Sequence, residues 1–216
     1  MNNDKLKKWL KWLKVIEKDI QELRIKQNIF WEVQDIIKNN SDLDKPSSFY
    51  NFLGDTYVAY ICIGIRRQAK VDQNSISFTR LLTEIIEDPE ILSRDFYVGL
   101  YKGSSVEEDA NDHFDKYFFK NGETKKDYIS TELVEADLVA FQEAVIKIEG
   151  FADRRIAHHD SREPKEIPKF KEVDECLQIM DELYTKYHLF FYAQDQSLMP
   201  VYQYNWKEIF EVPWIK

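Results

Sequence analysis

Only six glycines, six prolines and two cysteines occur among the 216 residues. So few chain breakers leave little room for disorder and favour helices. The two cysteines, Cys62 and Cys176, lie far apart, and Cys62 sits inside the apolar run YVAYICIGI. Neither a disulfide framework nor a thiolate metal site is suggested, and a reducing compartment is expected. That run, about nine residues, is the longest apolar stretch, against the ~20 a bilayer span requires. The lysine-rich start is not followed by an uninterrupted apolar segment with a small-residue cleavage site. A cytoplasmic protein with no membrane partner is expected. Gly-rich phosphate loops, fixed-period repeats and convincing strands are also missing, and no cofactor is called for.

What is present is charge interleaved with apolar residues, 32% against 44%, the balance of a soluble globular chain. At this length one domain spanning residues 1–216 can bury its own core. The formal net charge of -9 opposes a generic nucleic-acid coat, because non-specific binding neutralises phosphates, but it leaves room for a locally basic cleft. Charge is uneven: KLKKWLKWLK is basic, whereas TEIIEDPE and SSVEEDANDHFD are acidic.

Apolar residues recur at Leu6, Trp9, Leu13, Ile16, Ile20, Leu23, Phe30, Val33 and Ile37, in steps of three and four with one gap at Gln27. This predicts one long helix from Asp4 to about Lys38, its lysines a solvated face opposite the stripe. Ser47 or Ser48 can cap a second helix that ends near Arg66 and Arg67, cations that suit a helix C-terminus or, alternatively, RNA. A serine cap opens a third helix in SISFTRLLTEII. EDPEILSRDFYVGLYKG and SVEEDANDHFDKYFF read as shorter helices, with the stretch around His113 a solvated helix face. Ser130 or Thr131 caps a long helix after the loop KNGETKKDYIST. A last long helix runs from about Lys171 to Tyr192, followed by an irregular tail with one helical turn around Trp206 to Phe210. The fold class is therefore all-α: a helical bundle with two or three long helices, shorter peripheral ones and an irregular C-terminal tail.

The densest titratable stretch is RRIAHHD, residues 154–160. The core line Val134, Leu138, Phe141, Val145, Ile148, Ala152 continues at about 100° per residue to Ile156 and His159. Arg155 falls beside it, and Arg154 and His158, four apart, share a more outward face. Arginine and histidine in a last helical turn can simply complement the dipole. Against that stands the concentration of Asp153, Arg154, Arg155, His158, His159 and Asp160 on a helix whose preceding turns are largely apolar. Such a cluster can stabilise a phosphorane-like charge and move protons. The four histidines and two cysteines form no zinc-ligand spacing, so no metal site is expected.

An arginine followed within a few residues by histidine at a helix end, in an all-helical chain of this size, resembles the HEPN superfamily. IRRQAKVDQNSISFTRLL, ADRRIAHHD followed by IPKFKEVDECL, and the tail YNWKEIFEVPW together resemble its abortive-infection U2-type family, over most of the chain after about Phe49. The resemblance implies a HEPN-like bundle that forms a homodimer with both Arg–His motifs facing one cleft. It implies metal-independent cleavage of RNA, in phage defence or a toxin–antitoxin setting, with an antitoxin or other defence protein as partner. Arg154, His158 and His159 are the implied catalytic residues, with Asp153, Arg155 and Asp160 beside the substrate. Ala152 stands where the family often has arginine six residues before His158, while Arg154 and His159 meet the Arg-x-x-x-x-His spacing. The alternative is a non-catalytic HEPN module that dimerises and binds a protein or a nucleotide.

Overall fold

The computed structural model describes residues 2–157, 161, 166–196, 198 and 202–213. These residues are all-α: α1 (Asn2–Lys38), α2 (Ser48–Ala69), α3 (Phe78–Glu87), α4 (Arg94–Leu100), α5 (Ala110–Tyr117), α6 (Thr131–Phe151) and α7 (Phe170–Tyr192). Short 3-10 turns cover Pro89–Ile91, Glu107–Asp109 and Trp206–Glu211. The described residues contain no strand, only an isolated antiparallel bridge between Ser93 and Tyr128 that pins the loop before α6.

Serines start these helices by the same device. Ser47, Ser77, Ser93 and Ser130 accept from the backbone N–H of Phe49, Arg80, Phe96 and Leu133 at 3.1–3.2 Å. Each satisfies a donor that the first helical turn leaves without a partner.

The core is one continuous cluster. From α1 it takes Trp9, Leu13, Ile16, Ile20 and Leu23, from α2 Tyr57, Ile61, Cys62 and Ile65, and from α6 Val134, Phe141, Val145 and Ile148. Helix α7 contributes along its whole length, from Val173 to Phe191. Close approach of α1 to α2 needs Gly64, because a Cβ there would fall 2.3 Å from a Leu23 methyl. Rings of Phe114, Phe118 and Phe190 stack beneath α4 and α5, with Phe118 4.3 Å from each of the other two. Burial pushes the thiols of Cys62 and Cys176 up to about 12, which keeps them protonated and unreactive.

Two sequence expectations change. The lysine face of α1 is partly committed to α3: Lys5 pairs with Asp88, and Lys8 lies 2.6 Å from Glu84. His113 does not face solvent; it is half-buried, with Nδ1 3.3 Å from the Tyr101 hydroxyl.

Beyond Leu23 the α1 stripe leaves the main core. Its distal third, the start of α2 and the Trp206–Glu211 turn enclose a separate apolar groove that includes Val33, Ile37, Leu53 and Phe210. Lys207 pairs with Glu32, and Asn28 donates to the Tyr202 hydroxyl at 2.6 Å, so the tail is tied to α1 by polar contacts as well.

Candidate functional site

After Phe151 the helix does not continue as α. Residues Ala152–Ala157 form a π-helical turn, whose wider i→i+5 spacing is frequent at functional sites. The 100° projection of the core line therefore stops being valid at Ala152. Ala152 itself is fully buried, and Ile156 still packs against the core, but the two arginines are redistributed: Arg154 is half-buried and Arg155 exposed. His158, His159 and Asp160 lie outside the described residues.

The π turn is fixed from two sides. Arg66, near the end of α2, pairs with Asp153, and Lys70 reaches Glu149 at 3.6 Å. From within α6, Lys147 lies 2.9 Å from Glu166 and 2.7 Å from Glu172. The bond to Glu172, then that to Glu166, raises the Lys147 ammonium above its ordinary range. Glu172 is lowered first by Lys147 and then by the Lys169 backbone N–H. Asp153 and Arg66 thus act as a structural pair, and Arg67 is likewise committed, to Asp19. Both arginines at the end of α2 are bound to carboxylates, so their role extends beyond the helix dipole.

Arg155 and Ile156 form one rim of a groove of about 910 Å³ between α1, α2 and the start of α7. Phe30 and Trp31 line it from α1, Asn51, Gly54 and Asp55 from α2, and Ile167, Pro168 and Phe170 from the start of α7 and the residues before it. Phe30 stacks on Tyr57 at 4.0 Å with the rings parallel to within 2°. Phe170 lies 5.5 Å from Phe30 and meets Trp31 edge-on at 5.8 Å and 73°. Behind this corner Gln27, Trp31 and Tyr57 all donate to Asp174, at 2.7, 2.9 and 2.8 Å. Burial, then the Asp174 carboxylate, raises the Tyr57 hydroxyl far above its ordinary range, so it remains a donor.

Of the residues singled out in sequence, the described structure brings Arg155 to the groove and gives Asp153 to the fold, with Arg154 between them. The groove itself was missed. Its one sequence signal was the gap at Gln27 in the α1 stripe, which marks the polar anchor at Asp174. Among the described residues no group of three or more His, Cys, Asp or Glu is arranged to hold a metal ion, and no helix is long and apolar enough to cross a membrane.

No family model, no curated protein and no solved structure matches this chain.

Proposed function

We propose that the protein is a metal-independent endoribonuclease of HEPN type, acting in phage defence or as the toxin of a toxin–antitoxin pair. The observation that carries the reading is the pair Arg154–Arg155 on a π-helical turn, with Arg155 lining a groove of about 910 Å³ and separated by two residues from His158 and His159 in sequence. In the reaction a histidine takes the proton of a ribose 2′-hydroxyl, and O2′ attacks the adjacent phosphorus. The bond from phosphorus to the 5′-oxygen breaks, and that oxygen leaves with a proton supplied by a second acid. Arginine stabilises the charge that accumulates on the phosphoryl oxygens. The products are a 2′,3′-cyclic phosphate and a 5′-hydroxyl. The reading carries with it a two-fold homodimer that joins two such segments in one cleft.

One observation favours a second reading, a non-catalytic module that binds a protein or a nucleotide. Ala152, where the family that the sequence resembles often carries arginine, is fully buried, so the arginine function falls to Arg154 or is lost. One experiment separates the two. Protein freed of host RNases is incubated with RNA in excess chelator, and the ends are analysed. Cleavage to 2′,3′-cyclic phosphate ends is expected, reduced about 10²–10⁴-fold in His158→Ala or His159→Ala. Full cleavage by the double variant, or activity that chelator abolishes and one metal restores, rejects the enzyme reading.

A further inference from the structure

We infer that the groove between α1, α2 and the start of α7 binds a nucleotide, its base against the Trp31–Phe170 corner and its phosphate toward Arg155. This deepens the RNA-cleaving reading, and rests on it for the polymeric source of the nucleotide; the nucleotide chemistry itself rests on the groove.

Trp31 and Phe170 both line the groove and stay 38% and 39% exposed, although each is large and apolar. Their planes meet at 73°, so a flat ring stacked on one presents its edge to the other. Aromatic rings favour both arrangements. The corner is rigid: Phe30 and Tyr57 support Phe170 by stacking, and the indole N–H of Trp31 is held by Asp174. A preorganised stacking surface loses little freedom on binding.

The remaining lining supplies the polar edge contacts that a nucleobase needs. Gln34, Asn51 and Asp55 line the same groove, offering two amides that both donate and accept and one carboxylate that accepts. A purely lipid-like ligand would leave these groups without partners, at a cost of about 1–3 kcal/mol each in a dry site. Arg155 lines the same groove, and a guanidinium there matches the phosphate that distinguishes a nucleotide from a free base. The volume, about 910 Å³, lies at the upper end for small-molecule sites and admits a base, its ribose and the next phosphate.

The test is calorimetric titration with AMP and with a short 2′-O-methyl oligoadenylate, which cannot be cut because it lacks the attacking hydroxyl. The variants are Trp31→Leu and Phe170→Leu, which keep apolar bulk but lose the flat faces, and Asn51→Trp, which fills the groove from an exposed position. Circular dichroism confirms folding of each. Each loss of a stacking face is expected to weaken binding roughly tenfold or more, and Asn51→Trp to abolish it. Binding of AMP alone assigns the groove to free nucleotides; binding of the oligomer alone, or of both, assigns it to RNA, and all three support the inference. No binding of either probe, or binding that all three variants leave unchanged, overturns it. If AMP binds but unmodified RNA stays intact, the nuclease reading fails and the groove stands. If RNA is cut equally well by all three variants, the nuclease reading survives and the groove is not its substrate site.

Discussion

Asp181 shows at the level of one residue how burial sets charge. Its Oδ1 is buried without a hydrogen-bond partner among the described residues, while Oδ2 lies 3.3 Å from Arg24 Nε. Burial raises its carboxyl above the ordinary 3.8; Arg24 opposes that shift and Glu182 adds to it. A carboxyl raised by folding holds its proton more tightly in the native state. The native state is thus relatively favoured at low pH, and that advantage disappears as pH climbs through the raised value. Asp181→Asn cannot ionise and lacks this loss. The stability of the variant relative to the parent should therefore improve as pH rises from about 3.8 through the raised value and then level off, as read from urea midpoints at each pH. A relative stability that worsens with pH would mean that attraction to Arg24 outweighs burial.

The element that decides the site is the π turn at Ala152–Ala157, and the ion pair of Arg66 with Asp153 ties it to α2. Both partners keep access to solvent, 24% and 37%, so the pair supplies no more than about 1 kcal/mol. Arg66→Ala should consequently speed hydrogen exchange in peptides covering 152–157 several-fold and leave the buried stretch of α6 around Phe141 and Val145 unchanged. Slower or uniform exchange across α6 would show that the turn is held by packing alone. Sequence made much of this architecture legible: the 3.6-residue period of α1 and α6, the helical turn at Trp206, and the caps, which sequence narrowed to Ser47 or Ser48, a serine of SISF, and Ser130 or Thr131, and which fall on Ser47, Ser77 and Ser130. The π turn was not legible, because extrapolating an α-helical period cannot reveal where the period changes. The groove was not legible either, since Trp31, Asn51 and Phe170 meet only through the packing of three helices distant in sequence. Gln27 interrupts the α1 stripe for a reason that becomes visible only when Asp174 is placed beside it.

For the whole molecule the governing quantity is a net charge of -9, in which many of the cations are already engaged. Lys5, Lys8, Arg24, Arg66, Arg67, Arg94, Lys147 and Lys186 all sit within ion-pair distance of a carboxylate. Such a surface is poorly suited to tracking a polyphosphate backbone, so under the proposed RNA-cleaving function affinity for single-stranded RNA is expected to come from stacking with few phosphate contacts. Each neutralised phosphate of a single strand contributes about -0.7 to the slope of log affinity against log salt. With one or two contacts near Arg155, the slope should lie between about -0.7 and -1.4. Affinity should then fall only about threefold to sevenfold from 50 to 200 mM salt, where a backbone-tracking protein loses about 10³–10⁵. Fluorescence anisotropy of a labelled 2′-O-methyl oligoadenylate across that range measures it directly. A slope steeper than about -3 would require several phosphate contacts at once, more than the groove rim can supply, and would assign RNA binding to a basic surface elsewhere on the protein.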